Sequence, residues 1–157
     1  MEIAIGIYWR ISNYIDLRGE GGRVASARWH TAGQRIIYLA ESPAVAMFEA
    51  LVHMDYEVQD LPDEFTLLKI GAPDSLKISL LDPSENPDWR EQPEFTRGMG
   101  DAWLASRGTA LARVPSAVVP HAWNYLLNPE HPDAKLVRIE GQSRERLDIR
   151  LSRRKLR

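Results

Sequence analysis

The first apolar run, IAIGIYW at residues 3–9, is rich in β-branched side chains and predicts a buried strand. Residues 18–35 break the pattern. They hold Gly19, Gly21, Gly22 and Gly33 with arginines at 18, 23, 28 and 35, which predicts a loop that turns tightly or approaches a ligand. IIYLA at 36–40 reads as a short strand. Ser42 then offers a helix cap and Pro43 suits the first helical position. The segment that follows, AVAMFEALVHM, is apolar on nearly every face and predicts a buried helix whose one acid is Glu49.

Further along, FTLLKI at 65–70 and LKISL at 76–80 read as strands joined by a turn at Gly71–Pro73–Asp74. Pro83, Pro87 and Pro93 make 82–93 an irregular connection. A helix is expected over 94–106, with Phe95, Met99, Ala102 and Trp103 on one side, although Gly98 and Gly100 oppose it. LARVPSAVV at 111–119 reads as extended and broken at Pro115. Asn124, Asn128, Pro129 and Pro132 suggest a turn-rich loop over 124–133, and LVRIE at 136–140 and RLDIRL at 146–151 close the chain as strands. Strands gathered around two helices without a βαβ rhythm indicate an α+β fold. The expected form is two small, mostly antiparallel sheets flanked by helices around a cleft that the Glu49 helix borders.

At 157 residues the chain suits one domain, read as 1–157, with a core large enough to fold without disulfides. The absence of cysteine removes thiolate nucleophiles and Cys-based metal sites. No apolar run reaches the roughly 18 residues of a membrane span, and the start has neither a basic n-region nor a cleavage site, so a cytoplasmic location is expected. From Gly141 onward seven basic residues face two acids, giving +5, which leaves −7 for residues 1–140. The basic tail at about 144–157 admits an acidic partner or nucleic acid. The acidic body argues against direct nucleic-acid binding, which needs a broad basic surface.

Glu49 is the first candidate, because a carboxylate amid apolar helix positions needs a partner: an arginine or a cationic substrate. Arg28, in SARWH beside Trp29, suits a planar anion or an aromatic ring, and equally a surface position. Tyr38 lies in the strand leading to Glu49. Ser116, between Pro115 and Ala117, has no nucleophile-elbow context. His30, His53, His121 and His131 show no metal-ligand spacing, and the turn around His131 and Asp133 explains that pair better than a metal. GEGGRVAS fits neither a dinucleotide fingerprint nor a P-loop.

Taken in order, ARWH, YLAES, FEAL, VPSAVVP and NYLLNPEHP resemble the RES-domain family, the toxin half of bacterial toxin–antitoxin pairs, named for an arginine, a glutamate and a serine. The resemblance runs from about Arg10 to Leu151. It implies an ADP-ribosyltransferase-like fold and a reaction that consumes NAD as substrate, with no cofactor; the histidine spacing argues against a metal. It also implies a cognate antitoxin with an Xre-type or related domain that blocks the site in a hetero-oligomer. By the same resemblance Arg28, Tyr38 and Glu49 are the catalytic set, and Ser116, Arg10 and Trp29 contact substrate. Ser26-Ala27 replaces the usual glycine pair and His30 the usual asparagine.

Chemistry agrees with these roles. The N-glycosidic bond of NAD breaks through an oxocarbenium-like state, which a carboxylate such as Glu49 stabilises. Arg28 would grip the diphosphate, Tyr38 would stack on nicotinamide and Ser116 would bond the nicotinamide-ribose end. The expected function is toxic NAD depletion by hydrolysis or phosphorolysis. The alternatives are protein ADP-ribosylation and a non-catalytic nucleotide-binding module.

Overall fold

The computed structural model describes residues 4–53 and 63–153. Ile3 of the first expected strand and the last four residues of the basic tail lie outside them. Among the described residues, seven strands form one sheet in the order β4-β5-β6-β2-β1-β3-β7. They are β1 (Ile5–Ile11), β2 (Ile37–Ala40), β3 (Glu64–Pro73), β4 (Ile78–Leu80), β5 (Leu111–Pro115), β6 (Trp123–Leu127) and β7 (Arg138–Arg146). Among the described residues only the β4–β5 pair is parallel. The helices are α1 (Gly21–Val24), α2 (Pro43–His53), α3 (Pro93–Ser106) and α4 (Ile149–Arg153).

The α+β class stands, but the expected two sheets are one. β1 and β2 join the halves through a single registered pair, Trp9↔Ala40, whereas β1 and β3 share seven. One pair leaves no signature in either strand's sequence. The sheet also curls. Four residues link β3 to β4, a reach of at most about 18 Å, yet five strand spacings in a flat sheet would need about 24 Å. The two halves therefore bend toward each other around a core of Tyr8, Ile37, Leu39, Leu68, Ile70, Leu111 and Leu127.

Alternation divides the strands between two faces. Ile37 and Leu39 of β2 enter the inner core, while Tyr38 and Ala40 point to the face that carries the helices. On that face α3 and the Trp29 loop pack with Ala112, Val114 and Leu126, and Val45 and Ala46 of α2 pack with Ala40, Trp9 and Ile11. Ser42 caps α2 as expected, its Oγ accepting from Val45 N at 3.1 Å. The helix is not buried all round, however. Phe48 is 49% and Val52 56% exposed, because α2 lies on the outside of the sheet and packs along one side only.

Two other expectations are corrected. The expected loop at 124–133 begins with strand β6, whose Leu126 and Leu127 are fully buried on opposite faces between β2 and β5. RLDIRL is not a strand. Asp148 accepts from Arg150 N at 2.9 Å and the chain turns into α4. Within the basic segment Arg144 and Arg146 belong to edge strand β7, and Arg144 Nε lies 3.4 Å from Glu64. The charges along β7 oppose pairing of that edge with another strand.

Candidate functional site

Where β1 and β2 splay apart on either side of Trp9↔Ala40, a cavity of about 330 Å³ opens toward α2 and the glycine loop. β1 contributes Trp9, Arg10 and Ile11, and β2 contributes Tyr38 and Ala40. Glu49 and His53 come from α2, Asn124 from β6, and Gly22 and His30 from the loop. That volume lies at the lower end of the roughly 300–1,000 Å³ common for small-molecule sites. A larger, more polar hollow of about 520 Å³ lies beside Arg23, Arg35 and Arg107. Its arginines are already matched, Arg23 and Arg35 to Glu20 and Arg107 to Glu130, and it holds no buried carboxylate. The β1–β2 cavity is therefore the candidate site.

Glu49 is its chemical centre. Oε1 accepts from Ser116 Oγ at 2.6 Å and from Asn124 Nδ2 at 2.7 Å, and Oε2 lies 3.5 Å from His53 Nε2. Burial pushes the carboxyl pKa up, but the hydrogen bonds from His53, Ser116 and Asn124 together outweigh burial and hold it below the ordinary 4.5. The site thus keeps an ionised carboxylate with its side chain only 20% exposed. Two short charge-assisted bonds fix one oxygen, and the other has a single long contact.

Ser116 is committed to this arrangement. Its Oγ donates to Glu49 and accepts from Val118 N at 3.1 Å and Val119 N at 2.9 Å, which uses its full capacity. It does not line the cavity, and its place in the structure is behind Glu49, which it holds. Asn124 does the same from β6 while lining the cavity. Its Oδ1 is buried and has no hydrogen-bond partner.

Of the two candidate arginines, the cavity receives Arg10. Burial lowers its pKa and nearby Asp16 opposes that, and a guanidinium stays charged at any ordinary pH. Arg28 turns the other way, its Nη1 donating to Arg90 O at 2.8 Å, and it is not a lining residue. The cause is the docking of its loop on α3. Arg97 Nε donates to Ala27 O at 2.9 Å, and Thr96 Oγ1 donates to Arg28 O. Asp101 accepts from Thr31 N at 2.9 Å, Thr31 Oγ1 at 2.7 Å and Gln34 Nε2 at 2.7 Å. Gly100 makes the close approach possible: a Cβ there would sit 1.6 Å from Trp29 O. The Trp29 ring is buried beside Trp89 and Trp103 and does not line the cavity.

Tyr38 does line the cavity, and its hydroxyl has two partners within the protein. The oxygen accepts from Trp29 N at 3.1 Å and lies 2.8 Å from His30 Nδ1. Burial pushes this hydroxyl far above its usual pKa, so it stays neutral. The structure therefore brings Arg10, Tyr38 and Glu49 to one cavity, with Ser116 behind Glu49 and Arg28 and Trp29 outside. Sequence reasoning passed over His53, whose place one helical turn after Glu49 was the available signal. Asn124 was hidden because asparagine reads as a turn former. Among the described residues no three His, Asp or Glu side chains cluster to hold a metal, and His131 Nδ1 instead accepts from Asp133 N at 3.0 Å.

Comparison with known proteins agrees with the motif order. Toxin Res of Pseudomonas putida is 45% identical over 134 residues, covering 85% of this chain and 92% of that protein. The Prs ADP-ribosylating toxin of Sphingobium sp. is 34% identical over 157 residues, covering 93% of this chain and 96% of that protein. A chain of the Mycobacterium tuberculosis MbcT–MbcA toxin–antitoxin complex has the same fold, with a TM-score of 0.73 at 17% identity over 97% of this chain and 89% of that one. The RES-domain family profile matches residues 7–150, and the chain belongs to the RES-domain family.

Proposed function

We propose that this chain is the toxin of a toxin–antitoxin pair and that it consumes NAD by cleaving the nicotinamide N-glycosidic bond. The observation that carries the reading is the ionised Glu49 carboxylate, fixed through Oε1 and set in a cavity of small-molecule size. In the reaction the bond between the ribose carbon and the ring nitrogen breaks. Its electron pair goes to nicotinamide, which leaves neutral. The positive charge moves to the ribose, where Glu49 stabilises it. An acceptor oxygen then bonds that carbon and releases its proton to solvent. Arg10 attracts the diphosphate, the task first assigned to Arg28, and Tyr38 stacks on the nicotinamide ring. A cavity of about 330 Å³ suits the nicotinamide-ribose half, with the adenosine half outside its mouth.

Two acceptors of different kind are supported. Water or phosphate would give NAD depletion. A protein side chain would give ADP-ribosylation, which the name of the Sphingobium relative favours. An ADP-ribosyltransferase-like description of the fold belongs to the same proposal, as does a cytoplasmic site of action. The partner proposed is an antitoxin, of Xre type by family resemblance. The structural neighbour is a toxin–antitoxin complex, and Val24, Phe48 and Val52 expose apolar surface on the elements that frame the cavity. The test is incubation of purified full chain with NAD, with and without phosphate and with cell extract. Release of nicotinamide is expected, and the companion product identifies the acceptor. No release under any of the three conditions would leave a nucleotide-binding module.

A further inference from the structure

His30 is fully buried, lines the cavity and uses both ring nitrogens: Nδ1 lies 2.8 Å from the Tyr38 hydroxyl and Nε2 lies 2.9 Å from Gly22 O. Gly22 O is a carbonyl and only accepts, so Nε2 carries the proton. In a neutral ring Nδ1 is then an acceptor, and the Tyr38 hydroxyl donates to it. That hydroxyl also accepts from Trp29 N at 3.1 Å. Its proton and one lone pair are both spent inside the protein. We propose that His30 is a positioning residue: in its Nε2–H form it ties the Tyr38 hydroxyl to the Gly22 backbone, so that Tyr38 offers bound substrate the face of its ring and not its hydroxyl. The inference rests on the NAD reading for the substrate's identity, and on geometry alone for the His30–Tyr38 bond.

The consequence for the reaction is specific. A phenol face attracts the positively charged nicotinamide of intact NAD, and this attraction fades as the ring becomes neutral during cleavage. A group that favours the ground state supports binding more than turnover. Disturbing His30 should therefore raise KM more than it lowers kcat. The same ring also bonds the glycine loop through Gly22 O, but close packing holds that loop without it. A Cβ at Gly22 would lie 2.6 Å from Gln34 O, so that loop is packed too closely to move freely.

Two substitutions separate the two tethers. His30→Asn keeps a side-chain acceptor where Nδ1 stood and loses the reach to Gly22 O. His30→Gln keeps a donor where Nε2 stood and loses the bond to Tyr38. With purified full chain and NAD, His30→Asn should hold KM within about threefold of wild type, whereas His30→Gln should raise it about tenfold with kcat changed less than about threefold. Tyr38→Phe should raise KM to a similar degree, and adding it to His30→Gln should cost no more than either change alone. The opposite order, with His30→Gln near wild type and His30→Asn impaired, or additive losses in the double variant, would overturn the proposal and leave His30 a loop tether. The ring ¹⁵N spectrum of wild type gives a readout independent of NAD and of how the variants fold. Expected of the neutral ring is a protonated Nε2 and a hydrogen-bonded, unprotonated Nδ1. A ring protonated at Nδ1 instead would overturn the proposal even if NAD is consumed. If wild type leaves NAD intact, the NAD reading fails and the spectrum still decides the His30–Tyr38 bond.

Discussion

Glu49 keeps its charge because three neighbours offset the cost of burying it. A carboxyl whose pKa is depressed on folding adds stability above its unfolded value, and that contribution disappears as pH falls through the folded value. The acid limb of activity should accordingly lie below pH 4.5, the ordinary glutamate value. Ser116→Ala removes one of the lowering bonds, so the limb should move up in pH. At neutral pH kcat should fall by about tenfold or more, as expected for loss of a charge-assisted bond; a pH–rate profile of kcat/KM checks both. The arginines give a second residue-scale prediction. Arg10→Ala should raise the KM for NAD by about tenfold or more through loss of a charged bond, whereas Arg28→Lys should stay within about threefold. Steady-state kinetics would show the reverse ranking if the loop arginine held the diphosphate. At this scale Glu49 was legible, because an acid on an apolar helix face stands out in any sequence. The direction of Arg28 was not, because it is set by Thr96, Arg97 and Asp101, which lie some seventy positions away on α3.

Elements were legible where their period or caps were local. The Ser42–Pro43 start of α2 and the span of α3 follow from capping and spacing, and both hold. β6 was missed because its signal is split. Asn124 at its start reads as a turn, yet the side chain is spent on Glu49, and Leu126 and Leu127 are buried on both faces and break the alternation that marks a half-exposed strand. Gly100 was read as a weakness of α3, and helix propensity alone says that alanine there should stabilise the protein by about 1 kcal/mol. The packing reverses the sign. A methyl group at that position meets the Trp29 carbonyl, so the loop must lift off α3. Gly100→Ala should destabilise by about 1–3 kcal/mol, the usual cost of overpacking. Urea unfolding measures it, and a gain in stability would show that the loop does not dock against α3 as described.

The whole molecule is a curled sheet held across its middle by one strand pair, and the candidate site occupies the place where the two strands part. No local pattern reveals that arrangement, since it depends on β3 and β4 being four residues apart in sequence and at nearly opposite positions in the strand order. The outer side of α2 is the other feature of this scale. Phe48 and Val52 are exposed and pack on neither neighbouring strand's core cluster, so changing them should spare the fold and the chemistry. Phe48→Asp with Val52→Asp should leave NAD consumption within about threefold of wild type and abolish rescue of growth by the antitoxin. Continued rescue would place the antitoxin on another surface. The central claim, that Glu49 drives NAD cleavage by its charge, is tested most directly by cellular NAD content after induction of wild type and Glu49→Gln. The substitution keeps shape and hydrogen bonding and removes the charge. NAD should fall sharply with wild type and hold at the uninduced level with Glu49→Gln, both proteins being soluble and folded. Equal NAD in the two strains would contradict the account.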